Sequence, residues 1–294
     1  MSIQVGIELE MKKITVNAVQ ECIEGVGAHF DGFFRYHGNR FTRSAWDAEG
    51  WRAEEDSSLG TAATRTTKGG IEVISRPLVG IRGINEMKRL CTALNRAGAT
   101  VDVQCGTHVT LGLERNSRFM RMSQEKKNAC VREVMVIYDH FQPVLDALCP
   151  NSRSVIDGNN GYCHGAFFDG KMSAVNISKF VMYGIVEFRQ FGVTLNGNKI
   201  EQWIRIMNAI IAASFNNNHS SKNLVLADMP KTIAGMVNFL GLREATSAWM
   251  INRVESLMSG RSSHTRSYIR RESVLRGSEF LGLNGVLSNT SRWV

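Results

Sequence analysis

The sequence predicts an α+β fold built on a mainly antiparallel sheet. Three observations carry that prediction. Short segments alternate strictly between apolar and polar residues, segments with a helical period are interspersed among them, and Asp169-Gly170 supplies the turn chemistry of a hairpin between antiparallel neighbours. This pattern favours a mainly antiparallel sheet over a doubly wound parallel one.

Taken in order, Ile3 to Glu10 alternates, with Val5, Ile7 and Leu9 opposed to Gly6, Glu8 and Glu10, and predicts a strand. Val16, Val19, Cys22, Ile23 and Val26 then share one helical face, as do Ile84, Met87, Cys91 and Leu94, which stop before Gly98. Thr100 to Leu113 predicts a strand with Val109 and Leu111 opposed to His108 and Thr110. A long helix built on Cys130, Val134, Ile137, Phe141, Leu145 and Leu148 follows, kinked at Pro143. The hairpin turn at Asp169-Gly170 joins Ala166-Phe167-Phe168 to a strand from Met172 to Ser178. Gly184 to Phe191 is a further strand, and Ile200, Trp203, Ile204, Met207 and Ile211 form an apolar helical stripe.

Residues 31–52 carry Phe33, Phe34, Tyr36, Phe41, Trp46 and Trp51 without a clean period, and are expected to be an ordered excursion covering a site. The main body is expected to span 1–214, with a helical C-terminal appendix of the same domain over 215–258. Residues 259–294 are Gly/Ser/Arg-rich and expected to be a basic tail.

Bulk properties narrow the function classes. The 43% hydrophobic and 21% charged content is that of an ordinary soluble domain, and the 294 residues can bury a core without staples. Met1 to Val5 shows no signal peptide, and no apolar run approaches the roughly 20 residues of a membrane-spanning helix. The six cysteines are scattered without a C-x-x-C pair, as expected of reduced thiols in a cytoplasmic protein. The net charge of +8 favours acidic partners such as nucleotides, phosphorylated intermediates or nucleic acid. Much of it comes from Arg261, Arg266, Arg270, Arg271 and Arg276, a run that is usually a solvated face.

The chemistry lies in four predicted strands. Alternate strand residues share a face, so Glu8 and Glu10 project side by side, and two such anions repel unless a cation lies between them. Glu187 and Arg189 share a face opposite Val186 and Phe188; His108 stands opposite Val109 and Leu111; Asn176 lies between Val175 and Ile177. Each feature alone is an ordinary solvated strand face. Together they place carboxylates with a histidine and an arginine on the wet side of a sheet, a donor set that suits Mg²⁺ or Mn²⁺ better than zinc. Cys105 and His108 fall on opposite sides of a strand, and Cys163-His164 lacks companions at metal-site spacing. No G-x-x-x-x-G-K-[ST] loop is present, so a nucleotide would be held another way.

The series Gly6-Ile7-Glu8-Leu9-Glu10, Asp56-Ser57-Ser58-Leu59, Glu72-Val73-Ile74-Ser75, Cys105-Gly106-Thr107-His108-Val109, Val175-Asn176 and Glu187-Phe188-Arg189-Gln190-Phe191 resembles the amidoligase family, over residues 3–213. That family is a branch of the carboxylate–amine ligases related to glutamine synthetase and glutamate–cysteine ligase. The resemblance implies a curved, mainly antiparallel sheet like the catalytic domain of glutamine synthetase, with helices packed on one face and Mg²⁺-ATP bound on the concave face. It implies that Glu8 shares one metal ion with His108 and Glu187, that Glu10 shares another with Glu72 and Asp56, and that Arg189 contacts the transferred phosphoryl group. Asn176 and Ser75 occupy motif positions near the site, and Arg153 and Lys171 match basic positions that would bind a substrate carboxylate or phosphates.

The implied reaction phosphorylates a carboxylate and lets an amine displace the phosphate, forming an amide between small-molecule or peptide substrates. Two positions depart from the pattern: Thr110 stands where a second histidine is usual, and D-S-S-L replaces the commoner D-G-S-L. Two other readings compete. One is a guanidino-type phosphotransferase on the same kind of sheet. The other is a non-catalytic, basic nucleic-acid-binding protein using the C-terminal arginines and the aromatic residues of 31–52.

Overall fold

The fold is a computed structural model that describes residues 4–34, 48–113, 117–156, 163–167, 172–180, 184–215, 225–260 and 265–280. In chain order its elements are β1 (Gln4–Ile14), α1 (Val16–Gly25), β2 (Phe30–Phe34), β3 (Trp51–Glu54), β4 (Gly69–Ile74), β5 (Leu78–Val79), α2 (Gly80–Arg96) and β6 (Thr107–Gly112). There follow α3 (Ser117–Met120), α4 (Gln124–His140), α5 (Gln142–Leu148), β7 (Val175–Asn176), β8 (Ile185–Phe188), α6 (Gly197–Phe215), α7 (Ile233–Leu240), α8 (Glu244–Met258) and α9 (Arg266–Phe280). They form two compact units, one of residues 1–122 and 176–204, the other of 123–175 and 205–294.

The first unit holds an open sheet in the order β2-β3-β4-β1-β6-β8-β7, with β5 also paired to β1. The α+β expectation is met: β1 runs antiparallel to β4, β5 and β6, and β6 to β8; β2 and β3 are parallel. One face is apolar because alternate residues of the central strands, Ile7, Leu9, Met11, Val73, Val109 and Leu111, are fully buried. α1 begins where Thr15 caps it by accepting from the Ala18 N–H at 3.1 Å. α2 is tied to the sheet by the indole of Trp51 on β3, which donates to Glu86 at 2.8 Å while Arg76 holds the other oxygen of that carboxylate. Glycine is required at Gly69, where a Cβ would meet the Ala62–Ala63 peptide at 2.4 Å. That close approach seats the loop after β3 against the start of β4.

The second unit is helical. At its centre Asp146 is fully buried and accepts from Gln142 Nε2 (2.8 Å), Ser154 Oγ (2.9 Å) and the N–H groups of Val155 (3.0 Å) and Ile156 (2.8 Å). Arg271 on α9 is also fully buried and donates to the carbonyls of Ala147 (3.2 Å) and Cys149 (2.7 Å) and to Asn151 Oδ1 (3.1 Å). It thereby satisfies carbonyls that the C-terminus of α5 leaves open.

Several expectations are corrected. The predicted kink at Pro143 is a break: α4 ends at His140 and α5 starts at Gln142, with Pro143 in its first turn, where a missing N–H costs nothing. The strand predicted over 100–113 is confined to Thr107–Gly112; residues 101–106 form a turn and one isolated bridge, Gly106 to Gly192, and Thr100 makes an isolated bridge to Lys12. The strands predicted over 172–178 and 184–191 are the shorter β7 and β8. The Asp169-Gly170 turn lies outside the described residues, and the bridge flanking it, His164 to Ser173, is parallel and so not that of a tight hairpin. In the segment 31–52, Phe33 and Phe34 belong to β2 and Trp51 to β3, whereas Tyr36, Phe41 and Trp46 lie outside the described residues. Residues 266–280 of the expected tail form α9, ordered because the arginine that reads as solvent-exposed in sequence, Arg271, is the buried anchor of the helix. All six cysteines are free. Among the described residues no helix is long and apolar enough to cross a membrane.

Candidate active site

Strand register gathers the acidic residues on the other face of the sheet. Across β3, β4 and β1 the Cα partners are Glu54, Glu72 and Glu10, and the next outward-facing row reads Arg52, Ile74 and Glu8. β6 extends that second row with His108 opposite Glu8, and β8 sets Glu187 opposite Thr110. Residues paired in this way share a face, so a period of two in each strand becomes a two-dimensional patch.

His108 stands at the centre. Its Nδ1 is 3.0 Å from Glu8 Oε2 and 3.6 Å from Glu187 Oε1, and its Nε2 is 3.5 Å from Glu10 Oε1. Glu10 Oε2 accepts the N–H of Gly106 at 2.5 Å. Glu187 accepts from Asn176 Nδ2 at 2.8 Å on one oxygen and from Arg189 on the other. Two triads result, Glu8/His108/Glu187 and Glu10/Glu72/His108, each with donor atoms within 4.8 Å of one another.

The charges are unevenly compensated. Burial opposes ionisation of Glu8, but the hydrogen bond and charge of His108, with Arg189 and Lys179, bring its carboxyl down to about 2. Burial pushes Glu72 well above the usual carboxylate range, and the charges of Glu8, Glu10, Glu54 and Asp56 push it further. Glu54 is also raised by burial, against the pull of Arg52. Burial works against the charged form of Arg189, but Glu187, Glu8 and Glu10 raise it on balance.

Of the predicted site residues, Glu8, Glu10, Glu72, His108 and Glu187 come together, with Arg189 and Asn176 against Glu187. Asp56 is in neither triad; it accepts from the Ser58 N–H at 2.8 Å and acts on Glu72 by its charge. Ser75, just past β4, clamps β1: its Oγ accepts from the Ile7 N–H at 2.9 Å and its own N–H donates to the Ile7 carbonyl at 2.8 Å. Arg153 belongs to the second unit, 2% exposed on the turn Asn151–Arg153, and Lys171 lies outside the described residues. For both, a ligand-binding role rests on the resemblance alone.

Among the described residues, Arg52 and Glu54 of this face were missed, and so was Lys179, whose charge bears on Glu8 and Glu54. Arg52 Nη2 lies 2.5 Å from Glu54 Oε1, with its guanidinium 5.7 Å from the centroid of the Phe34 ring. Arg52 and Glu54 alternate as Glu8 and Glu10 do, a signal available in the sequence but obscured by reading 31–52 as an excursion. Lys179 has no such signature.

The donor set fits hard divalent cations. It is carboxylate oxygen with one imidazole, and the crowding that raises Glu72 is what a cation would relieve. Beside it, Arg189 Nε is buried with no hydrogen-bond partner among the described residues, a donor left for an anion.

No curated protein sequence matches the chain. Among solved structures it is similar to a bifunctional glutathione synthetase from Pasteurella multocida, at 12% identity and a TM-score of 0.44 over 96% of this chain and 49% of that one. The chain thus spans about half the length of that enzyme. Asn176, Glu187 and Arg189 enter the site by geometry, outside the stretch that the family comparison covers. Residues 1–148, half of the chain and the part that carries Glu8, Glu10, Asp56, Glu72 and His108, match the family described as "putative amidoligase enzyme", and the chain belongs to that family.

Proposed function

We propose that the chain is an ATP-dependent carboxylate–amine ligase that works through an acyl phosphate on a sheet of the glutamine synthetase kind. The observation that carries this reading is His108 set among four carboxylates of the same sheet face, Glu8, Glu10, Glu72 and Glu187. Glu8, His108 and Glu187 would hold one Mg²⁺ and Glu10 with Glu72 a second, with Asp56 beside them; when bound, these ions neutralise charge on phosphate oxygens.

The chain's own residues do the rest. Asn176 fixes one oxygen of Glu187 and so the direction of the other. Arg189 turns its unused donor to the transferred phosphoryl group, where charge is greatest. Burial and its acidic neighbours favour the protonated form of Glu72, and a bound cation would favour the charged one. An oxygen of the substrate carboxylate attacks the γ-phosphorus, and the bond to ADP breaks. The amine nitrogen then attacks the acyl carbon, the carbon–oxygen bond to phosphate breaks, and the amine proton leaves to solvent. Phosphorylation is needed because a carboxylate has no leaving group but oxide.

The test is calorimetric and needs no knowledge of the acid or amine. Wild type should bind ATP only with Mg²⁺, and Glu8→Gln and Glu187→Gln should each abolish that binding while remaining folded. Unchanged binding in Glu187→Gln would remove the assigned role. A phosphorylated product that accumulates and stays stable without an amine would favour phosphotransfer to a guanidino group instead.

A further inference from the structure

Beyond the triads the same face of the sheet carries two more rows. Alternation along β1 puts Gln4 and Gly6 on the side of Glu8 and Glu10, and strand pairing extends both rows. Gly6 faces Thr110, which faces Glu187; Gln4 faces Val79 on one side and Gly112 on the other, and Gly112 faces Ile185. Thr110 stands one row from His108 and Gln4 two rows from Glu8, ~7 Å and ~14 Å along their strands.

These rows differ from the acidic ones. Gln4 is 4% exposed and Thr110 9%, and among the described residues neither side chain has a hydrogen-bond partner. A buried amide or hydroxyl left in that state costs stability, and a ligand that pairs with it recovers the loss. Gly6 and Gly112 raise no side chain beside them, so another backbone can lie close against the sheet. The Gln4 row holds no charge, and the one charge of the Thr110 row, Glu187, is engaged by Asn176 and Arg189.

We propose that Gln4 and Thr110 bind the acid substrate of the ligase, and that this acid is a peptide lying extended along β1 with its C-terminal carboxylate at the triads. This rests on the ligase reading above and deepens it. A primary amide presents a donor and an acceptor side by side, the complement of the carbonyl and N–H of a peptide backbone, and a hydroxyl serves either. An extended peptide advances about 3.3–3.6 Å per residue, so Thr110 meets it about two residues, and Gln4 about four residues, from the carboxylate. A free amino acid is too short to reach Gln4 from the triads. A long dicarboxylate would carry its second charge to a row without a counterion.

The experiment uses the full-length chain with Mg²⁺-ATP and hydroxylamine, which traps an acyl phosphate as a hydroxamate. Three pools supply the acid: N-acetylated tetrapeptides of mixed sequence with a free C-terminus, the same peptides C-terminally amidated, and free amino acids. Wild type should form hydroxamate from the first pool faster than from the other two by about tenfold or more. Gln4→Leu and Thr110→Val should each raise the apparent KM for that pool about tenfold, with binding of β,γ-imido-ATP and Mg²⁺ unaltered in calorimetry. Because each removes an unpaired buried group, their Tm should match or exceed that of wild type. An unchanged KM in either variant, or equal rates with amidated peptides or free amino acids, would overturn the proposal and leave the ligase reading standing. So would wild type that binds imido-ATP but yields hydroxamate from no pool. A lowered Tm or lost imido-ATP binding in the variants would assign the two side chains to the fold and overturn the proposal. Wild type that binds no imido-ATP, with or without the peptides, would overturn both.

Discussion

Glu72 and Glu8 stand on adjacent strands of one face, and their surroundings push them in opposite directions. Burial and four neighbouring acids favour the protonated form of Glu72, whereas at Glu8 burial is outweighed by His108, Arg189 and Lys179. Their effects on stability therefore have opposite sign. The Glu8 carboxyl falls from 4.5 to about 2 on folding, so its contribution is complete above 4.5 and is lost as pH falls towards 2. The Glu72 carboxyl rises, so its contribution is complete below 4.5 and is lost as pH climbs through the raised value. Glu72→Gln should accordingly raise the Tm of the metal-free protein relative to wild type as pH climbs, while weakening Mn²⁺ binding by about tenfold or more. Glu8→Gln should lower both. Because a cation would favour the charged form of Glu72, the Tm increase that Mn²⁺ confers should grow as pH rises above the usual carboxylate range, as read by differential scanning fluorimetry. An increase that is flat with pH would count against Glu72 as a ligand.

At the scale of the element, α9 shows how one side chain decides whether a segment packs. Its arginines read as a solvated run, but Arg271 turns inward and spends its donors on Ala147, Cys149 and Asn151. Arg270 Nη1 lies 3.8 Å from the buried Asp146. Arg271→Met keeps much of the apolar stem and leaves those acceptors unmet, which should cost about 3 kcal/mol in urea unfolding. Arg271→Lys should recover little, since an ammonium cannot reproduce the fork. A loss within about 0.5 kcal/mol, the range of ordinary surface substitutions, would mean that α9 is not anchored there.

For the whole molecule, the division into two units predicts where ligands are felt. Every residue of the two triads lies in the first unit, on β1, β4, β6 and β8. In hydrogen–deuterium exchange, Mn²⁺ should protect peptides covering residues 4–14, 69–75, 105–112 and 185–190 and leave those covering 124–156 and 233–258 unchanged. Protection centred on the helical unit would place the cation elsewhere.

The sequence by itself determined the class of fold and most of the acidic face. A period of two puts Glu8 with Glu10 and Glu187 with Arg189 on one side of their strands whatever those strands pair with, and apolar partners force that side away from the core. It also placed α1, α2 and α6, whose apolar stripes are long enough to leave no other reading. Register was decided only by tertiary structure, because it depends on which strands meet. The pairings Glu8 with His108 and Glu10 with Glu72, across 100 and 62 residues of chain, bring the triads together. Arg52 and Glu54 joined the face only once Trp51–Glu54 paired with β4. Lys179 and Arg271 are the clearest cases. A basic residue in a turn or on a helix carries no periodic signal of what it meets, since its long stem lets it face solvent, a carboxylate or a helix end with equal ease.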